Sequence, residues 1–443
     1  GDGRQDRLVV TDSAQNAILV SDLGEARVYR TTWAGQDHLL VDTEVVQYDR
    51  QRNAYQHVAQ SFHVDLRTKK SGLLLGGAQF HSTAGGGVVA VAQKAGRWTA
   101  YATGLPVDIW LKDFDGRVFL SLFSVDLETG RSTLVEPALN DAKSWVISPF
   151  GEIVGRSVFT ARDDVWRVFP GLADADPLVE RAWSGGGFRL LGQGREPGGV
   201  LYADLSDQSG GVFEVVPGRE PLKVDPDRTE VWPLNDRSDG HLVGLATPDG
   251  DVTLFDAELQ RRFEASRRAF PGQRVDLISY SNRFERLVLY TEGPGESGTY
   301  WLVDIAARSA KVLGLARPAI KDAQVAPMRQ LAFSAADGLG LDGVLTMPLT
   351  GGGRNVPLLV LATDPMNGPA AEIGFDWIAQ AFASQGYAVF QPNPRGSRHR
   401  GEAVRKAGDG ELGRKMVSDI SDGVDALAKA GMIDPGRVCI MGE

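Results

Sequence analysis

Pro357-Leu-Leu-Val-Leu-Ala-Thr363 is a continuous apolar run, introduced by the glycine-rich turn Gly351-Gly-Gly-Arg-Asn355. A strand with one wet face alternates apolar and polar residues, whereas an unbroken run fits a strand covered on both faces, as in a parallel sheet. The flanking sequence agrees. Upstream, Gln330-Leu-Ala-Phe-Ser-Ala-Ala-Asp-Gly338 and Leu341-Asp-Gly-Val-Leu-Thr-Met-Pro348 read as a hairpin. Downstream come a helix-like Phe375–Ser384, a strand Tyr387–Pro392, a helix-like Met416–Ala430 and a strand Arg437–Met441. This alternation predicts an α/β unit from residue 328 onward. In its second helix Ile420, Val424, Leu427 and Ala428 fall at helical spacing, and Asp419, Asp422 and Asp425 are assigned to a solvated acidic face. Asp434-Pro-Gly436 predicts a tight turn into the last strand.

Before residue 328 the pattern is different. Residues 7–317 are short β-rich runs broken by Gly, Asp, Pro and Asn, without a long amphipathic helix. Several runs share a cadence of apolar residues, an Asp and a polar turn: Phe62-His-Val-Asp65, Phe123-Ser-Val-Asp126, Leu254-Phe-Asp256 and Tyr300-Trp-Leu-Val-Asp304. The last two Asp residues are 48 positions apart, close to one propeller blade, and the gaps of 61 and 130 call for degenerate blades between them. An array of β-sandwiches is the alternative. The expected organisation is a β-propeller over residues 1–327 and an α/β unit over 328–443.

With 443 residues, the chain is long enough for two or three domains. It is 42% hydrophobic and 23% charged, and no apolar run reaches the roughly 20 residues that span a bilayer. A net charge of −10 with both signs interspersed argues against a nucleic-acid surface. Cys439, the single cysteine, lies between Val438 and Ile440 and reads as a buried strand thiol. No His-Glu-x-x-His, Cys-x-x-Cys or calcium-loop pattern points to a metal, and no cofactor is expected. Gly1-Asp-Gly-Arg4 is neither an initiator Met nor a signal peptide, which leaves periplasm and cytoplasm equally open.

The chain closes on Val438-Cys-Ile-Met-Gly-Glu443, an apolar strand running into Gly-x. In an α/β-hydrolase the nucleophile elbow G-x-S-x-G sits at such a strand end, so the elbow would begin at Gly442 and Glu443. A cluster of segments supports this placement: Gly374-Phe-Asp-Trp-Ile-Ala-Gln-Ala-Phe-Ala-Ser384, Gly386-Tyr-Ala-Val-Phe-Gln-Pro-Asn393, Arg395-Gly-Ser397, Gly410-Glu-Leu-Gly-Arg-Lys-Met416, Asp419-Ile-Ser-Asp-Gly-Val424 and Asp434-Pro-Gly-Arg-Val-Cys-Ile440. In this order they resemble the prolyl oligopeptidase family of serine peptidases (S9), in its acylaminoacyl-peptidase-like bacterial subgroup. The resemblance is dense over residues 330–443 and looser before them, at Phe270-Pro-Gly272 and Glu292-Gly-Pro-Gly-Glu-Ser-Gly-Thr-Tyr300.

The resemblance implies a seven-bladed propeller that filters access to a partial α/β-hydrolase domain, a short-peptide substrate and homo-oligomerisation. It also implies a Ser-Asp-His triad in chain order, with the serine directly after Glu443 and about 200 further residues completing the domain. No catalytic residue is then expected within this chain, and His63, His81 and His399 are given structural or surface roles. Where relatives carry His-Gly-Gly-Pro, a loop that helps form the oxyanion hole, this sequence has Met366-Asn-Gly-Pro369. Met366, Asn367 and Gly368 are therefore the oxyanion-loop candidates, with Asn367 tolerating positive φ better than most residues. Arg395 and Arg398 are candidates for binding a substrate carboxylate, since guanidinium pairs with carboxylate in a bidentate manner. The rival reading is a catalytically weakened or inactive homologue acting as a peptide-binding or scaffold protein.

Overall fold

The computed structural model describes residues 7–442 apart from 25, 50–52, 77–79, 82–86, 107–119, 138–140, 161, 173–174, 184–186, 206–209, 226–229, 249, 351–353, 363–369 and 398–401. A two-stranded hairpin, Arg7–Thr11 with Ala17–Asp22, comes first. Six antiparallel sheets follow in chain order, over 27–73, 80–136, 141–182, 188–225, 232–254 and 274–315. These are six blades of a β-propeller, four-stranded except for the fifth, which has three strands, and the second, which gains the short strand Phe80–His81.

The Asp cadence has a local cause. Asp65, Asp126 and Asp304 each end the third strand of a blade, and the carboxylate turns back to accept backbone N–H groups of the following turn. Asp65 accepts from Arg67 at 2.9 Å and Thr68 at 3.2 Å, Asp126 from Glu128 at 3.0 Å and Thr129 at 2.9 Å, and Asp304 from Ala307 at 2.9 Å. Each is an Asx-type turn that starts the outer hairpin. The gap between Asp126 and Asp256 holds two blades without such an Asp; among the described residues the gap between Asp65 and Asp126 holds none, contrary to expectation. A helix, α1 (Ala257–Arg267), also breaks the all-β expectation. It is anchored by the fully buried Phe263 and carries an i,i+4 pair between Glu258 and Arg262.

The chain divides into two compact units, residues 1–248 with 252–256, and 249–251 with 257–443. The second unit therefore contains the sixth blade and α1 as well as the mixed sheet that begins at Met328.

That sheet has the order Met328–Ser334, Gly340–Thr346, Ala388–Asn393, Val356–Ala362, Ile433–Gly442. The first three neighbours are antiparallel and the last two pairings parallel, with Leu358 opposite Ala388 and Val438. Side chains alternate across the central strand. Leu359 and Leu361 pack with Ala379 and Phe382 of α2 (Trp377–Ser384) on one face, whereas Leu358 and Val360 pack with Phe390 and Leu427 on the face covered by α4 (Lys415–Lys429), which follows the short α3 (Glu402–Lys406). The mixed, helix-covered sheet is consistent with the first part of an α/β-hydrolase fold. Cys439 is exposed, correcting the expectation of burial, because among the described residues its strand has a neighbour on one side only. No helix among the described residues is long and apolar enough to cross a membrane.

Candidate active site

Ligands of open α/β sheets bind at the carboxyl ends of the parallel strands, where the strand order reverses. Here three such ends converge, at Ala362, Asn393 and Gly442, and Ala362 is in register with Gly442. Gly442, the expected start of the elbow, thus stands at the carboxyl edge beside the central strand. Met366, Asn367 and Gly368, together with Arg398 and Glu443, lie outside the described residues.

Asn393 was not singled out in the sequence, yet it organises this edge. It is 2% exposed, and its amide makes a paired bond to one residue: the Ala371 N–H donates to Oδ1 at 2.7 Å and Nδ2 donates to the Ala371 carbonyl at 3.0 Å. The second hydrogen on Nδ2 goes to the Asp342 carboxylate at 2.8 Å. Ala371 opens the segment leading to α2, whose N-terminus is capped by Asp376 accepting from the Ala379 N–H at 2.8 Å. The only sequence signal was a polar residue closing an apolar strand in Gln391-Pro-Asn393.

The sixth blade borders the same segment. Arg274 bonds both Asp276 oxygens at 3.0 Å and approaches Glu372 at 3.5 Å. Glu292 accepts from the Tyr290 hydroxyl at 2.7 Å and pairs with Arg317 at 3.7 Å, and burial followed by this bond pushes the Tyr290 phenol up to about 12. Arg317 lies 4.2 Å from the centroid of the Phe375 ring. Nothing in the sequence of residues 274–317 announces the contacts of Arg274 with Glu372 and of Arg317 with Phe375, since these partners lie about 100 and about 60 positions onward.

Arg395 sits just beyond the edge, 4% exposed. Its Nε and Nη2 donate to Asp419 at 2.8 Å, and its Nη1 and Nη2 donate to Asp337 at 2.9 and 3.0 Å. Lys415 adds a bond to Asp337 at 3.0 Å. Hydrogen bonds from Arg395 first and Lys415 second hold the Asp337 carboxyl well below the usual carboxylate range. Two carboxylates of its own chain thus occupy the guanidinium that the sequence offers to a substrate carboxylate. The solvated face assigned to Asp419 is corrected: Asp419 is fully buried and is the primary partner of Arg395.

His63 lies in the first blade, its Nε2 2.9 Å from Nδ1 of His38, with burial and that neighbour lowering its proton affinity. The His81 side chain and His399 are outside the described residues. Among the described residues no group of three or more His, Cys, Asp or Glu side chains is placed to hold a metal ion.

Residues 373–443 match the model of the Prolyl oligopeptidase family. Dipeptidyl aminopeptidase BIII of Pseudoxanthomonas mexicana is 32% identical over 355 residues, which cover 72% of this chain and 48% of that protein. The chain thus spans about half the length of that relative. Among solved structures, the acylaminoacyl peptidase of Pyrococcus horikoshii superposes with a TM-score of 0.59 at 16% identity, covering 94% of this chain and 73% of that one. A puromycin-hydrolyzing peptidase of Mycobacterium tuberculosis gives a TM-score of 0.55 at 17% identity, with the same coverage. At these identities the two superpositions speak to the fold.

Proposed function

Because this chain belongs to the prolyl oligopeptidase family (S9), we propose that it forms the propeller and the first part of the hydrolase domain of a serine peptidase that cleaves short peptides. The observation that carries the reading is the position of Gly442, at the carboxyl end of a parallel strand and in register with Ala362. A nucleophile elbow requires such a strand end, followed by a tight turn that lifts the serine above the sheet. The serine is placed directly after Glu443, with the aspartate and histidine of the triad further along the chain. The serine oxygen attacks the peptide carbonyl as its proton passes to the histidine, which then protonates the departing amine; water releases the acyl group from the serine.

Met366, Asn367 and Gly368 are proposed to supply a backbone N–H to the oxyanion. One such donor is worth roughly 2.7 to 4 kcal/mol in the transition state. The propeller, with a seventh and incomplete amino-terminal blade proposed beside the six described, acts as a size filter that admits short peptides, and the protein forms a homo-oligomer. Names of relatives support peptide chemistry in more than one form, dipeptidyl aminopeptidase and acylaminoacyl peptidase among them, so the substrate class is set at short peptides.

The test is intact mass before and after a fluorophosphonate probe, on the protein purified from its natural source. One adduct on a species well above 47.7 kDa is the expected result. A longer species that takes no label would sink the catalytic reading in favour of the peptide-binding one.

A further inference from the structure

Residues 371–375 run along the carboxyl edge of the mixed sheet, and the sixth blade meets them almost one by one. Glu372 faces Arg274 at 3.5 Å, and the Ile373 side chain packs at Gly293. Gly374 lies against Glu292, where an added Cβ would stand 2.7 Å from Oε1. Phe375 lies under the Arg317 guanidinium at 4.2 Å. Arg317 is itself fixed, donating to the Ser297 carbonyl and to the Tyr290 hydroxyl and pairing with Glu292. On the sheet side Asn393 holds both backbone polar groups of Ala371. The segment is gripped from two sheets.

We propose that Arg274 and Arg317, carried by a propeller blade, are positioning residues for peptide hydrolysis: they fix residues 371–375 at the carboxyl edge of the mixed sheet, so the blade is part of the catalytic apparatus as well as a filter. This rests on the serine-peptidase reading above. Oxyanion stabilisation depends on placement, and a misplacement of about 1 Å can cost on the order of a hundredfold in rate. The requirement for arginine at 317 is geometric. A planar guanidinium stacks on Phe375 while bonding in its own plane, and the point charge of lysine does not.

The experiment uses the full-length protein, p-nitrophenyl butyrate as chromogenic ester, a fluorophosphonate probe and thermal melting. Arg317→Ala is expected to lower kcat by about tenfold or more, with KM within about twofold, because the lost interaction acts in the transition state. Arg317→Lys should recover only a minor part of the loss. Arg274→Gln and Glu372→Gln, on partly exposed side chains, should each lower kcat, and the double variant should be no worse than either single one. Variants that shift only the melting temperature, or only KM, overturn the proposal while wild-type labelling upholds the serine-peptidase reading. A wild type that neither labels nor turns over overturns that reading, and the positioning role with it.

Discussion

Arg395 shows how a single residue changes meaning between sequence and structure. As one arginine of Arg395-Gly-Ser-Arg-His-Arg400 it offers a cation to a ligand; in the fold it is 4% exposed against a fully buried Asp419. Removing one partner of a buried ion pair strands the other charge, so Arg395→Ala is expected to cost about 3–5 kcal/mol in urea unfolding. Converting Arg395 and Asp419 together to Met and Leu should return much of that loss. Asp337 gives a prediction in pH. Its carboxyl is held below the usual range by hydrogen bonds from Arg395 first and Lys415 second. Below the unfolded value of about 3.9 the unfolded chain takes up the proton first, so this contribution is complete above about pH 5 and is lost as pH falls through the folded value. Asp337→Asn should therefore melt lower than wild type near pH 7, and the difference should narrow towards pH 3. A constant difference across that range would rule out this source of acid sensitivity.

At the scale of elements, α4 was legible because Ile420, Val424 and Leu427 recur at helical spacing. Its seating was not. Gly423 lies on Phe390, where an added Cβ would come 2.6 Å from the ring, with Phe333 behind it. Helix propensity favours alanine over glycine by roughly 1 kcal/mol; overpacking against a fully buried ring costs typically 1–3 kcal/mol. Gly423→Ala is thus expected to destabilise, measured as a lower urea midpoint at unchanged m-value, and a stabilised variant would show that α4 can lift off the sheet. The Asp cadence of the propeller was equally visible because a local bond causes it, one carboxylate accepting N–H groups two or three residues on. α1 escaped notice because Phe263 is its one buried apolar residue, and the pair Leu259 and Phe263 alone, among charged neighbours, is too short to establish a period.

For the whole molecule, the change in sheet pattern at Met328 and the division into compact units do not coincide. The sixth blade belongs to the same compact unit as the mixed sheet, and the connection between them is also tied down: the Ala326 N–H donates to Gln380 of α2 at 2.7 Å, and Gln380 donates back at 3.2 Å. A piece starting at 257 and running to the natural carboxy terminus should resist limited proteolysis. A piece starting at 328 should not, because it uncovers Ile373, Phe375 and Gln380; equal resistance of the two would place the boundary at 328. The sequence by itself determined the elements and their order, because apolar period, turn residues and Asx bonds act over a few positions, and the apolar run 357–362 already required a sheet covered on both faces. Only the tertiary structure decided which charges are buried and which residues meet at the carboxyl edge. Arg395 with Asp419, Asn393 with Ala371 and Arg317 with Phe375 join strands, helices and a blade that are separated along the chain, and no local pattern records the partner of a side chain that distance in sequence hides.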